Sequence, residues 1–462
     1  MSPQRRVAVL GGGLAGIAAA LDCAQAGASV TLVEVRRRLG GAAYSFERDG
    51  LVMDNGQHVF MRCCHAYRRL LVRLGSDHNV HVQPRLRVPV LSPVRAPSDL
   101  RRGRLPAPLH MAGSLVRYGH LSPVQRLRVA RAVMALGRLD ARDPALDEVS
   151  FADWLARRGQ DRDAIARFWE VIVRPTLNAP VADASLALAA FVFQTALLEA
   201  ADAGDIGFHI APLSDTIGGP AEEALARAGV QVWLGARAES VEPEGDGFRV
   251  RANCDSLLAE AVIVAVPHAR AAGLLEPLLP DVARTLNGIP SSPIVNLHVV
   301  FDRRVCDEQF AAGVDTPVQY IVDRSGVKGV PSGHQYLAVS LSGARNEMAM
   351  SVDALRTTYL PALAQLLPRA RGASVERFFV TREHAATFMA APGVGALRPP
   401  ARTPIAGLLL AGAWTDTGWP ATLEGAVLSG HTAAGAALAH LRLAGAPHAR
   451  ATAALAPAGN GA

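Results

Sequence analysis

The chain opens on an apolar run, Val7 to Leu10, that breaks into glycines and resumes as an alanine-rich stretch from about Leu14 to Ala26. It stops at Gly27 and returns as a second apolar run ending at Glu34. Short β-branched runs flanking a helix-length segment, with glycine at each break, predict strand, tight turn, helix and strand. Further on, Val230 to Glu242, the turn Gly245 to Gly247 and Phe248 to Ala252 alternate as strands of a small antiparallel crossover. Ala261 to Pro267 reads as a buried strand closed by proline. Segment 86–214 is mainly helical in pattern, with apolar runs at Val124 to Leu139 and Ser185 to Leu198. Segment 291–375 carries strands such as Ile294 to Phe301 and Tyr336 to Leu341. The last patterned stretch, Leu408 to Gly430, predicts a buried strand running into Gly412, a turn closed by Pro420, and a helix beginning near Thr422 with small residues at its start. No internal repeat is visible.

The first turn places Gly11, Gly13 and Gly16 in the pattern GxGxxG. The first glycine permits the bend, the second lets a pyrophosphate approach the backbone, and the third lets helix and strand pack closely. The backbone around Leu14 and Ala15 then opens the helix, where phosphates sit on the positive end of its dipole. Glu34 lies 18 residues after Gly16, where a carboxylate accepts hydrogen bonds from ribose hydroxyls. Together these features predict dinucleotide binding. Glu34 is followed by Val35, three arginines, Leu39, Gly40, Gly41 and Ala42. A second glycine turn with a basic residue ahead of it suits a longer cofactor with its own pyrophosphate and ribityl chain. This arrangement resembles the extended fingerprint of the flavin amine oxidase and carotenoid desaturase superfamily. The resemblance implies FAD, with Arg38 at the matching arginine position, Ala238 as a backbone contact to adenine, and a C-terminal glycine turn that completes the flavin site.

The implied architecture is α/β, α+β overall: a discontinuous Rossmann-like FAD-binding domain with an inserted substrate domain of helices and antiparallel sheet. The cofactor domain is expected at 1–85, 215–290 and 376–442, the substrate domain at 86–214 and 291–375, and a poorly ordered tail rich in alanine, proline and glycine at 443–462. With 462 residues, half of them apolar, two or three domains can each bury a core. The five cysteines form neither a CxxC pair nor a regular framework, so neither a metal site nor a disulfide scaffold is expected and a reducing cytoplasm fits best. No secretory signal is expected, and the longest apolar stretch, interrupted by Gln194, is shorter than the ~20 residues of a spanning helix.

Three stretches carry the resemblance further: MDNGQHVF (Met53 to Phe60), PTLNAPVADAS (Pro175 to Ser185) and TGWPAT followed by EGAV. They are similar to the hydroxysqualene dehydroxylase family of bacterial hopanoid biosynthesis over nearly the whole chain. The resemblance implies reduction of hydroxysqualene to squalene with loss of water, reduced FAD being the hydride source. It adds Asn55, Gly56 and Gln57, and then Gly412, Asp416, Pro420, Ala421, Thr422 and Gly425, to the expected cofactor contacts. One departure stands out: after Ala411 and Gly412 the family has an acidic contact to the cofactor, and here there is Ala413, with Asp416 as the nearest substitute.

The chemistry is constrained as well. An allylic alcohol leaves poorly, so an acid must protonate or hydrogen-bond it. His58, beside Asp54 and after the second glycine turn, is the candidate catalytic residue, in contact with the alcohol or the flavin ring; the alternative is a histidine that holds the loop. Trp419 and Asn296 are expected to line the substrate pocket. Many flavin amine oxidases set a lysine on the substrate-domain strand that here carries Asn296. Lys328, the chain's only lysine, falls in a glycine-rich loop instead. Amine oxidation therefore ranks below isoprenoid chemistry. Carotenoid or isoprenoid desaturation remains the alternative, because motifs do not fix the direction of hydride transfer. A prenyl-binding module that has lost its flavin is disfavoured by glycines intact at both ends.

Net charge is +6, almost wholly from arginine. Ten arginines stand between Arg85 and Arg131 against one acid, Asp99, with apolar residues interleaved. Such a segment reads either as a solvated surface or as a face for anionic lipid. Without a groove-reading motif, nucleic acid is not an expected partner. A hydrophobic isoprenoid substrate predicts a cytoplasmic protein with peripheral membrane contact through Arg101, Arg102 and Arg104. The sequence names no electron donor.

Overall fold

The computed structural model describes residues 5–253 and 255–443. Cys254 and residues 444–462 of the expected tail lie outside the described residues. The apolar runs assemble as a five-stranded parallel sheet in the spatial order Gln231–Leu234, Ser29–Glu34, Arg6–Leu10, Ala261–Val264, Leu408–Leu410. The three inner strands are almost entirely buried, which explains why they read as continuous β-branched runs rather than alternating ones. Gln231–Leu234, expected in the small antiparallel crossover, is instead the edge strand of this sheet. The antiparallel layer is formed by Ala238–Glu244, Gly247–Ala252 and Asp255–Ala259.

The alanine-rich helix Leu14–Gln25 and the C-terminal helix Leu423–His440 lie against each other. Their approach is too close for a side chain at Gly430, where an added Cβ would overlap the Ala15 carbonyl oxygen. The contact is locked by Asp22, fully buried, which pairs with His431 at 2.6 Å and with Arg73 of helix His65–Leu74 at 2.5 Å. Burial alone would raise the Asp22 carboxyl, but the hydrogen bonds and charges of His431 and Arg73 hold it below the usual carboxylate range. The two ends of the chain are thereby fixed in one layer.

A second sheet, of seven strands, runs Val375–Phe388, Ser291–Phe301, Gln335–Ser342, Tyr320–Asp323, Phe310–Gly313, Arg87–Leu91, Ser98–Arg101. All its pairings are antiparallel except Phe310–Gly313 with Arg87–Leu91. Helices from segment 112–198 pack together in the largest core cluster. Strand Val375–Phe388 departs from the expected boundary at 376: it pairs along nearly the whole of Ser291–Phe301 and so belongs to the substrate sheet. Its partner lies about 80 residues away, and no local pattern in the strand announces that pairing. Among the described residues, no helix is long and apolar enough to cross a membrane.

Candidate active site

The two glycine turns of the N-terminal segment pack backbone to backbone. Gly40 N donates to Gly12 O at 2.9 Å, and a Cβ on Gly41, whose φ is +59°, would stand 2.7 Å from Gly13 Cα. Gly11 has φ +113°, and a Cβ there would lie 2.6 Å from Ala265 O; at Gly16 one would overlap the Gly11 carbonyl. Gly13 differs. Its φ of −79° suits any residue, and an added Cβ would meet nothing nearer than Gly41 Cα at 3.7 Å. The backbone does not require glycine at this position, and a Cβ would make only an ordinary contact there. Gly13 is also the N-cap of its helix, with no side-chain cap and no acid in the first turn, so the N–H groups of Leu14, Ala15 and Gly16 have no partner within the helix. Such an uncapped N-terminus suits a pyrophosphate.

Glu34 is buried beside this turn. Its Oε2 accepts from Gly12 N at 2.6 Å and its Oε1 from Arg36 N at 2.7 Å. Each oxygen retains a lone pair for a hydroxyl donor. Val35 is exposed next to it. Ala236 N donates to Glu34 O and Gly235 N to Arg36 O, both at 2.9 Å, which brings the strand starting at Ala238 to the same edge.

The second turn leads into the residues around Asn55. Arg38 Nη1 donates to Gly41 O at 3.1 Å, and the guanidinium lies 3.6 Å over the Tyr44 ring. Asn55 Nδ2 donates to Ala42 O and to Glu383 Oε1, both at 2.9 Å, while Tyr44 OH donates to the same Glu383 oxygen at 3.2 Å. Asn296, fully buried on its strand, donates through Nδ2 to Asn55 O at 3.1 Å. A Cβ on Gly56 would stand 3.5 Å from Asn296 Nδ2 and 3.8 Å from His58 Nε2. Asn55, Gly56, His58 and Asn296 therefore converge. Two buried atoms here, Gln57 Nε2 and Asn296 Oδ1, have no hydrogen-bond partner. Buried polar atoms without partners are costly and are retained where a ligand satisfies them.

Burial pushes the His58 imidazole below its ordinary value, against the opposing effects of Asp54, Glu383 and a hydrogen bond to the Ala42 carbonyl. Asp54 does not bond to this ring. Its Oδ2 pairs with buried Arg324 at 2.7 Å, and its Oδ1 accepts from Ser45 Oγ at 2.6 Å and Leu213 N at 3.0 Å.

The C-terminal strand delivers the other wall. Gly412, at φ +142°, donates its N–H to Ser429 Oγ at 2.8 Å, and a Cβ there would overlap the Trp414 ring. The turn that follows is organised by Arg398. Its Nη2 donates to the carbonyls of Thr415 at 2.6 Å, Trp419 at 2.8 Å and Ala413 at 3.3 Å, and to Thr417 Oγ1 at 3.3 Å. Burial lowers the Arg398 guanidinium to about 10, so it stays charged at neutral pH. Pro420 is buried and Ala421 half-buried, and Thr422 caps the final helix by accepting from Gly425 N at 3.0 Å. Trp419 packs edge-on against Phe191, ring centroids 5.1 Å apart. Asp416 is exposed and accepts from Gly418 N at 3.3 Å. Glu424 reaches across to cap helix His65–Leu74, accepting from Ala66 N at 2.9 Å and Tyr67 N at 2.7 Å. Arg398, Glu383, Tyr44 and Arg324 are absent from the sequence-based set; each acts on partners distant in the chain.

A seam of bare glycine backbone at Gly13, an uncapped helix N-terminus, a buried carboxylate beside it and unpartnered polar atoms at Gln57 and Asn296 fit a flavin dinucleotide. Residues 14–438 match the family described as flavin containing amine oxidoreductase. The chain belongs to this family. It is an FAD-dependent oxidoreductase. It is 28% identical to the hydroxysqualene dehydroxylase of Rhodopseudomonas palustris, over 94% of this chain and 99% of that one. It is 24% identical to the chloroplastic/chromoplastic zeta-carotene desaturase of Zea mays, over 93% and 82%. Among solved structures, the cyclohexylamine oxidase of Brevibacterium oxydans shares the fold, with a TM-score of 0.74 at 20% identity and coverage of 95% and 100%. Among the described residues, no group of His, Cys, Asp and Glu is placed to hold a metal ion.

Proposed function

We propose that this enzyme reduces hydroxysqualene to squalene with loss of water, in hopanoid synthesis. The observation that carries this reading is the residue on strand Ser291–Phe301 that faces the Asn55 turn: it is the neutral, fully buried Asn296. The single lysine stands at the surface, 76% exposed and 3.2 Å from Glu47. A flavin site with Asn296 in place of a lysine suits a neutral substrate better than amine oxidation. Similarity to the R. palustris enzyme over nearly its full length supports the same choice.

Bound FAD, once reduced, supplies the hydride that replaces the hydroxyl at the allylic carbon. The chain's own residues must then deliver one proton to the departing oxygen, so that water leaves as the C–O bond breaks. We assign this role to His58, which stands beside Gly56, with Glu383 near enough to oppose the effect of burial on its ring. Trp419 and Pro420 shape the apolar wall that holds the hydrocarbon. Asn296 Oδ1 and Gln57 Nε2 orient the ring or the alcohol through their open hydrogen-bond positions. The similarity to zeta-carotene desaturase favours a second reading, in which the same scaffold takes a hydride from an isoprenoid.

If His58 is the acid, His58→Ala at full FAD occupancy lowers turnover about a hundredfold. In the unaltered enzyme, burial holds the imidazole below 6.5, so its charged form accumulates as pH falls beneath that value, and single-turnover rates rise toward acid with an apparent pKa under 6.5. Unchanged turnover in the His58→Ala enzyme, or a rate flat from pH 8 to pH 5, would remove His58 from the proton path. Gas chromatography of the extracted product tests the substrate: squalene from hydroxysqualene supports the proposal, whereas an added double bond in a supplied isoprenoid, with the alcohol untouched, supports the desaturase.

A further inference from the structure

The segment 100–139 contains eight arginines and no acidic residue. Among the described residues only one of the eight, Arg102, forms an ion pair: it is drawn into the protein by buried Asp205, at 2.6 Å, and so is withdrawn from the exposed set. The segment also holds Leu105, Leu109, Val116, Val124, Leu127 and Met134, six of the fourteen large apolar side chains that are exposed among the described residues.

The helix Pro123–Leu136 shows how the two kinds of residue are arranged. Val129, Ala132 and Leu136 are its buried face, while Val124, Leu127, Arg128, Arg131 and Met134 are exposed at the spacing of the opposite face. An amphipathic helix in a globular domain turns polar residues outward. Here the outward face is apolar and basic. Helix Ala112–Arg117, bearing exposed Val116 and Arg117, packs against it and against strand Ser98–Arg101, and Arg126 ties the two helices by donating to the carbonyls of Tyr118 at 3.0 Å and Val116 at 2.6 Å. Arg131 continues into a depression of about 450 Å³ lined also by Ala132, Trp154, Arg157 and Arg158, with the Arg158 guanidinium 4.4 Å from the Trp154 ring centroid. Three arginines lining one depression suit a phosphate headgroup in charge and in donor chemistry.

We infer that this face is a docking surface for an anionic phospholipid bilayer. The exposed leucines, valines and Met134 enter the headgroup boundary, Arg101, Arg104, Arg117 and Arg128 neutralise lipid phosphates, and the Arg131–Arg157–Arg158 depression seats one headgroup. Apolar side chains in the middle of the basic field favour a bilayer over nucleic acid, which would need the arginines alone. The inference is independent of the substrate assignment, because its readout involves no turnover.

The test is co-sedimentation of the FAD-loaded, full-length enzyme with vesicles of phosphatidylcholine, with and without phosphatidylglycerol. Two variants are compared: Arg101→Glu/Arg104→Glu/Arg131→Glu and Leu105→Ser/Leu109→Ser/Leu127→Ser. All six positions are at the surface, and unchanged flavin content verifies folding. Wild type is expected to pellet with the anionic vesicles and far less with neutral ones. Charge reversal at three arginines should weaken partitioning by about a hundredfold, and the serine variant should lose it as well. Wild type remaining in the supernatant with anionic vesicles would overturn the inference, as would variants that pellet like wild type. A wild-type dimer that the serine variant breaks, without vesicle binding, would assign the face to a second copy of the chain and equally overturn it.

Discussion

Gly13→Val is expected to give a folded protein that does not retain flavin. The backbone at Gly13 suits any side chain, and an added Cβ meets only Gly41 Cα, at an ordinary contact distance of 3.7 Å, so the backbone of the apoprotein accepts a Cβ there. This position lies in the seam between the two glycine turns, above the N–H groups that open the first helix, where the proposed site would bring a pyrophosphate against backbone. With the pyrophosphate bound in this seam, valine methyl groups would overlap it. An overpacking penalty of about 1–3 kcal/mol raises the FAD dissociation constant tenfold to a hundredfold. Titration of apoprotein followed by flavin fluorescence reads the affinity, and thermal unfolding without FAD reads the fold. Gly16→Val separates the two effects: its Cβ would collide with the Gly11 carbonyl, so the apoprotein itself should be destabilised. Equal thermal stability in both variants, or wild-type affinity in Gly13→Val, would contradict the placement of the cofactor in this seam.

Arg398→Ala is expected to disorder the other wall. One buried guanidinium holds three carbonyls and a hydroxyl of the turn 413–419. Its removal strands those carbonyls, at about 1–3 kcal/mol for each that finds no water. It also removes the cation packed 4.8 Å from the Phe388 ring centroid. The turn loosens before the sheet does, because Leu408–Leu410 stays paired with Ala261–Val264. FAD affinity should fall about a hundredfold, corresponding to roughly 3 kcal/mol. Arg398→Lys should recover only part of this, since an ammonium lacks the planar fork that spans several acceptors. A dissociation constant within twofold of wild type in Arg398→Ala would show that the turn is held by its own backbone.

What the sequence made legible follows the range of the interaction involved. Gly16, Gly40, Glu34 and the strand into Gly412 are readable because their requirements are local: a Cβ at Gly16 would meet the Gly11 carbonyl, one at Gly40 the Ala43 carbonyl and one at Gly412 the Trp414 ring, and Glu34 closes its strand. Arg398 is unreadable because it sits among prolines in a loop and its acceptors lie up to 21 residues away. Asp54 is close to His58 in sequence, yet its carboxylate is held by Arg324, 270 positions downstream. Glu383 was placed with the cofactor domain, and the long strand Val375–Phe388 carries it to Asn55 from the substrate sheet. Pairing across such separations is fixed by tertiary register, which leaves no periodic trace in the chain.

The arginine-rich segment shows a different limit. Its charge was plain, but which arginines are free was not: Arg102 is drawn into Asp205 and Arg87 into Glu308 and Asp99. The exposed apolar side chains among them become visible only when the helix faces are known.

In the proposed reaction, the flavin site built from both ends of the chain removes a hydroxyl once its cofactor is reduced. The most direct test is an anaerobic stopped-flow mixing of prereduced, FAD-loaded enzyme with hydroxysqualene. Oxidised-flavin absorbance is expected to return in a single turnover, with one squalene formed per flavin. Reduced flavin that stays reduced beside unconsumed alcohol, while oxidised enzyme is bleached by an isoprenoid hydrocarbon, would contradict it.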